Sequence, residues 1–235
     1  MTSTELRGFL TGLILGDGHI DKGITQRAFY IKSIQKDFID QIYNELSSCT
    51  NFKMSIRYVP ERDSGDCHHK AYWQLFVEHH PYFAKRYHHF YDDRRRRIVS
   101  SQAMEWLTPY GLANWYMSDG YVCLVGKERG DIYNRQVDIC TDRYDVETVK
   151  RLCEMLNKRF GIITSLSKRG NRYRIRIKPE SYRQFFELIE PYLVDSMKYK
   201  MYLGYKYQPK WMPDSMWQTQ ERLRSATTLP AKAAG

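Results

Sequence analysis

Leu10-Thr11-Gly12-Leu13-Ile14-Leu15-Gly16-Asp17-Gly18 is an apolar, helix-length run that ends in Asp-Gly, and Leu112-Ala113-Asn114-Trp115-Tyr116-Met117-Ser118-Asp119-Gly120 ends the same way. A helix C-terminus already carries partial negative charge on its unpaired carbonyls, so a carboxylate there is disfavoured. One Asp-Gly reads as a solvated cap. Two, each after a long apolar run, read as a pair of acids that would repel unless a hard cation lay between them. Gly18 and Gly120 are expected in the left-handed conformation that stops a helix, which puts Asp17 and Asp119 in the last turn. Gly8, Gly12 and Gly16 recur at every fourth position and leave one helix face nearly bare. Bare backbone costs helix stability, so a partner helix packed very close is predicted.

Outward from the first run, a polar stretch from His19 to Gln26 has room for a strand and a turn. Arg27 to Ser33 alternates as a strand, Lys36 to about Ser48 carries apolar residues at helical spacing, and residues 52–59 alternate again. Pro60 to His69 reads as a turn, Lys70 to Glu78 as the returning strand, and Pro81 opens a helix reaching about Tyr91. The run Arg94-Arg95-Arg96-Arg97 and the mixed stretch after it connect to the second motif.

After Gly120 the order repeats, with strands at Tyr121 to Val125 and Arg135 to Thr141, then a helix that Asp145 caps and Gly161 ends. The strand Ile162 to Ser167 turns at Arg169-Gly170-Asn171 into a segment with Arg172, Arg174, Arg176 and Lys178 on one face and Tyr173, Ile175 and Ile177 on the other. Four cations in register repel one another, and a polyanion lying across them is the simplest explanation. A helix from Ser181 towards Tyr192 follows, then an aromatic and basic segment, Met197 to Trp217.

The chain has 235 residues, 42% hydrophobic and 27% charged, enough for a buried core. A net charge of +10 and a pI near 9.3 point to a polyanionic partner. No apolar run reaches the roughly 18 residues of a membrane span, and the N-terminus lacks a signal peptide's basic and apolar regions. A soluble intracellular protein is expected, in an organelle (mitochondrion or chloroplast) or a prokaryotic cytoplasm. The five cysteines are odd in number and form no C-x-x-C pair, which argues against a disulfide framework or a zinc ribbon.

Each half thus reads helix, strand, strand, helix, strand, strand, helix, with Leu75 and Val77 matching Ile175 and Ile177 one hundred positions on. This duplication, with Asp17 and Asp119 separated by 102 positions, resembles the LAGLIDADG homing endonucleases in their monomeric, two-motif branch. The first motif matches at Leu10, Gly12, Leu13, Ile14, Asp17 and Gly18, and the second at Leu112, Ala113, Asp119 and Gly120. The second departs at Asn114, where the family favours glycine, and at the bulky Trp115, Tyr116 and Met117.

The resemblance implies an α+β fold of two pseudo-symmetric αββαββα halves, each with a four-stranded antiparallel sheet, packed through the two motif helices into a saddle. The halves would span residues 1–97 and 107–221, with a connector at 98–106 and a disordered tail at 222–235. It further implies magnesium (or manganese) held by Asp17 and Asp119 with the carbonyls of Gly16 and Ser118. Lys200 would be the basic residue of the second half's site, with Arg96 as its first-half counterpart and Arg97 as the alternative. The product would be a double-strand break with short 3′ overhangs. Outward strand residues would read double-stranded DNA. The candidates are Arg27, Lys32, Arg57, Lys70, Tyr72, Gln74, Gln136, Asp138, Arg172, Arg174, Arg176 and Lys178.

Three rivals compete. Members of the same family can act as maturases on group I intron RNA, and the same saddle would serve; both acids being present favours the nuclease. A non-catalytic DNA-binding regulator is disfavoured by the same two acids. The pairs His68-His69, His79-His80 and His88-His89 fit no compact zinc spacing, since adjacent histidines point apart.

Overall fold

A computed structural model describes residues 1–21, 27–64, 67–125, 134–202 and 218. Helix α1 (Ser3–Leu15) starts two turns before the apolar run, because Thr2 and Glu5 form a reciprocal capping box. It leads into β1 (His19–Ile20), β2 (Arg27–Ser33), α2 (Lys36–Cys49), β3 (Met54–Val59), a small hairpin of β4 (Arg62–Ser64) and β5 (Cys67–His69), β6 (Tyr72–His80) and α3 (Pro81–Ala84). Helix α4 (Ser101–Trp106) precedes the second motif helix, α5 (Pro109–Asp119). Then come β7 (Gly120–Val125), β8 (Asn134–Ile139), α6 (Val146–Phe160), β9 (Thr164–Arg169), β10 (Arg172–Ile177), α7 (Tyr182–Ile189) and α8 (Tyr199–Tyr202).

The two four-stranded sheets are antiparallel, with orders β1-β2-β6-β3 and β7-β8-β10-β9. Their registers superimpose residue on residue. Ile31, Leu75 and Ile56 lie side by side in the first sheet as Ile139, Ile175 and Leu166 do in the second. One step along, Phe29, Val77 and Met54 correspond to Val137, Ile177 and Thr164. The apolar faces of both sheets, the helices behind them and the two motif helices form a single continuous core. The mixed helix-and-sheet duplication expected from the alternation is therefore the architecture.

The bare face of α1 lies against α5. A Cβ added at Gly12 would stand 1.8 Å from the Gly111 carbonyl oxygen, and one at Gly16 would stand 2.5 Å from Cβ of Ser118. Small residues thus face small residues. The bulky Trp115, Tyr116 and Met117 are fully buried, and Tyr116 stands edge-on to Phe185 of α7. Asn114 is also fully buried and donates to the Phe9 carbonyl at 3.5 Å.

Several expectations change. Among the described residues only Gly161 (φ 66°) and Gly170 (φ 60°) are left-handed glycines, so Gly18 and Gly120 are not left-handed stops. Close approach dictates them instead: a Cβ on Gly120 would meet the Tyr116 ring at 2.1 Å, and one on Gly18 the Leu13 carbonyl at 2.6 Å. The helix opened by Pro81 ends at Ala84, and a short 3-10 turn, Tyr87–His89, replaces its remainder. The stretch expected as a connector at 98–106 contains α4, capped by Ser100. Part of the Met197 to Trp217 segment, and the 222–235 tail, lie outside the described residues.

Candidate active site

Helices α1 and α5 cross close enough to bring their C-terminal ends together. Asp119, the last residue of α5, has its carboxyl pushed up to about 7, by burial first and by Asp17 next. Arg143, Arg97 and Lys200 oppose that rise. Two carboxylates within one field, flanked by three cations, are the electrostatic centre of the molecule.

Each helix end carries one cation. Lys200 Nζ donates to the Met117 carbonyl at 2.6 Å, and Arg97 donates to the Gly18 carbonyl at 2.6 Å and to the Ile14 carbonyl. These contacts answer the negative end of each helix dipole, which makes the two acids tolerable there. Burial lowers the Lys200 ammonium pKa, while Asp119 and Asp17 pull it back up.

Arg97, not Arg96, occupies the first-half position. Arg96 pairs with Asp92 at 2.8 Å and is 71% exposed. The reason is local: Arg95 takes a positive φ of 64° in a turn, and Tyr91 then bridges to Arg97, which sends Arg97 inward and Arg96 outward.

The donors here are oxygens: two carboxylates, with the backbone carbonyls of Gly16 and Ser118 just before them in the chain. That set suits a hard divalent ion rather than a thiol- or imidazole-seeking one. Among the described residues no group of three His, Cys, Asp or Glu side chains could hold a metal, so an ion here needs water or a substrate oxygen as well. The histidine pairs do not assemble either. His68 meets Asp63 at 2.8 Å, His79 meets Asp21 at 3.0 Å, and His89 shares a proton with Ser100 at 2.8 Å.

A cavity of about 590 Å³ connects Asp17, Arg97 and Lys200 to the outer face of the first sheet at Tyr30, Lys32, Lys70 and Tyr72. On that face Lys32, Gln74 and Arg57 form one row across three strands, and Arg57 donates to Gln74 at 3.2 Å. Lys32 Nζ sits 5.0 Å from the Tyr72 ring centre. Arg27 is a correction. Its guanidinium lies 3.4 Å from the Tyr87 ring centre and donates to the Asp21 carbonyl, so it does not join the row.

The second sheet's outer face is built differently. Asp142 receives the Arg174 guanidinium at 2.9 and 2.6 Å, while Arg174 also donates to the Tyr121 hydroxyl at 3.1 Å. Arg176 donates to Asp138 at 2.8 and 3.0 Å and to Ser167 at 2.9 Å. Two of the four aligned cations are thus neutralised within the protein, so their repulsion is no argument for a bound polyanion. Asp138 is completely buried beneath Arg176, Arg169 and Tyr121, so it orients an arginine and is not itself a contact surface. Arg172 is exposed, and Gln136 and Lys178 are half-buried.

Sequence reasoning missed Arg143 and Tyr144. Tyr144, buried, donates from its hydroxyl to the Leu15 carbonyl at 3.1 Å, and burial pushes that phenol up to about 12. Arg143 reaches Asp17 at 3.4 Å. Both lie in an irregular connection with no periodicity to mark them.

A model of the LAGLIDADG DNA endonuclease family matches residues 7–185. The chain is 26% identical over 194 residues to a protein of Wickerhamomyces canadensis named probable intron-encoded endonuclease 1, spanning 82% of this chain and 81% of that one. It is 24% identical over 216 residues to the DNA endonuclease I-ChuI of Chlamydomonas applanata, spanning 86% and 96%. A solved structure of the homing endonuclease I-WcaI bound to its DNA recognition sequence shares the fold, with a TM-score of 0.73, 24% identity, and coverage of 85% of this chain and 86% of that one.

Proposed function

The chain belongs to the LAGLIDADG DNA endonuclease family, and from that premise we propose that it is a single-chain homing endonuclease that cuts both strands of a long, asymmetric duplex. The observation that carries this reading is the convergence of Asp17 and Asp119 at the ends of two crossing helices, with Lys200 and Arg97 each fixed on one helix end. Both motif helices lie in one chain, so a monomer presents two sheets to one duplex.

A magnesium or manganese ion held by Asp17 and Asp119, with the Gly16 and Ser118 carbonyls, would activate water and stabilise the leaving 3′ oxygen. The protein's own part is to position and neutralise. Asp119 and Asp17 supply negative charge where a cation is needed, and the neighbouring cations keep that charge from unfolding the site. Arg97 and Lys200 face the cavity in which scissile phosphates would lie and stabilise their developing charge. The lowered Lys200 pKa also brings that amine closer to proton exchange with an attacking water.

The sheets grip and read. Lys32, Gln74 and Arg57 on one side, and Arg172, Arg174, Arg176 and Lys178 on the other, offer long donors for base edges and phosphates. Corresponding positions differ chemically: His19, Tyr30, Phe76 and Ser55 form a row where the second half has Tyr121, Asp138, Arg176 and Ser165. Unequal faces call for an asymmetric target.

The test selects a duplex from a randomised pool by binding, then assays cleavage with and without magnesium for the wild type, Asp17→Asn and Asp119→Asn. Magnesium-dependent double-strand cutting with short 3′ overhangs, lost in both variants, is the expected result. A wild type that binds without cutting, and stimulates splicing of a group I intron RNA, would replace the nuclease with a maturase.

A further inference from the structure

The two halves of the site are not equally equipped. In the second half residues 140–145 connect β8 to α6, whereas only residues 34–35 connect β2 to α2 in the first. The longer connection is tied down at almost every residue. The Cys140 backbone N–H donates to the Asp119 carbonyl at 2.9 Å, and the Thr141 hydroxyl donates to the Tyr173 carbonyl at 2.7 Å. Asp142 holds Arg174, Tyr144 reaches the Leu15 carbonyl, and Asp145 caps α6 at 2.7 Å.

Arg143 is the exception. Its side chain is 55% exposed, and its Nη2 crosses from the second half to Oδ1 of Asp17, the acid of the first, at 3.4 Å. It also lines both the cavity at Asp17 and a second one, of about 260 Å³, at Asp119. At the matching place in the first half the short connection presents Ile34 and Gln35, neither of them charged.

Resting on the nuclease reading above, we propose that Arg143, whose direct contact is Asp17, is a phosphate contact for the strand cut there, supplied by the second half's connection and not matched by Ile34 or Gln35 in the first. An exposed pair at this distance is weak, so the guanidinium gives up Asp17 readily. Its planar fork matches two phosphate oxygens better than the single carboxylate oxygen it meets at 3.4 Å. The rigid connection around it keeps the fork within reach of the same place. The two strands of one duplex are therefore cut at unequal rates.

The experiment uses the full chain and a duplex selected for binding, with each strand end-labelled in turn. Strand-specific cutting rates are measured in magnesium for the wild type, Arg143→Gln and Arg143→Lys. Duplex affinity is measured against salt concentration in EDTA for the same three proteins.

Arg143→Gln should slow one strand roughly 10- to 100-fold, the loss of one charge-assisted contact, and leave the other strand within about twofold. Its salt slope in EDTA should fall by about 0.9, one phosphate's worth of released counterion. Arg143→Lys, which keeps the charge, should keep the slope and restore much of the slowed strand's rate. Equal slowing of both strands, an unchanged strand ratio, or an unchanged salt slope each overturns the assignment. A wild type that leaves both strands intact refutes the nuclease reading instead, and the EDTA slope still decides Arg143.

Discussion

Asp119→Asn should stabilise this protein in the absence of metal, and by an amount that depends on pH. Burial and the neighbouring Asp17 raise the Asp119 carboxyl from 3.8 to about 7. A carboxyl whose folded pKa is raised holds its proton in the native state after the unfolded chain has lost its own. Stability then falls as pH climbs from about 4 to about 7 and stays low above that. A gap of about 3 pK units, at about 1.4 kcal/mol each, is worth at most about 4 kcal/mol.

Asparagine has the carboxyl's shape without its charge and removes that penalty. For a chain of this size each kcal/mol moves the melting temperature by roughly 2–4 °C, so Asp119→Asn should melt above wild type at pH 8 in EDTA, by up to roughly 8–16 °C. Near pH 4 the two should melt together. Magnesium supplies the missing countercharge by another route, and at pH 8 should raise the wild-type melting temperature far more than the variant's. Calorimetric melts at the two pH values, with and without magnesium, decide the matter. A variant no more stable than wild type at pH 8, or stabilised equally at pH 4, would refute the reasoning that the acids are held at a cost awaiting a cation.

Gly12→Ala puts a methyl 1.8 Å from the Gly111 carbonyl oxygen, backbone that cannot move aside, so urea denaturation should show a loss beyond about 4 kcal/mol or no folded protein at all. Arg97→Ala should cut cleavage by about 100-fold, the cost of one lost electrostatic stabiliser, while Arg96→Ala should stay within about twofold of wild type. Asp138→Asn leaves Arg176 without the charge beneath it; chemical denaturation should register about 3 kcal/mol, and duplex affinity should drop although Asp138 itself is out of reach of any ligand.

Much of the fold and of the site is legible in the sequence. Asp17 and Asp119 announced themselves because a carboxylate after an apolar helix is electrostatically awkward, and the sheets did so because alternation has a period of two that survives any packing. The cation opposite Lys200 was harder. Arg96 and Arg97 are adjacent in a run of four, and the choice between them is made by the turn at Arg95 and the bridge from Tyr91, neither of which leaves a periodic trace.

Asp138 shows a different limit. Alternation put it on the outer face, where it is, but could not say that Arg176, Arg169 and Tyr121 would close over it. Arg27 alternates with Phe29 and Ile31 and not with Lys32, and it is spent on Tyr87 and the Asp21 carbonyl; at Gly18 and Gly120 steric contact decides where dihedral preference had been the argument. Arg143 and Tyr144 lie in a connection whose length differs between the halves, and only the folded chain reveals what such a connection reaches.

The crossing at Gly12 and Gly111 has a further consequence for anyone wishing to re-target such a protein. Because the halves abut there through main-chain atoms, the spacing of the acids depends on no particular rotamer at that point. A half transplanted from a relative would need to reproduce that bare patch and its seating angle, and its outer strands could be rewritten separately. The joint behaves like a standard coupling in machinery, indifferent to the tool mounted on either side.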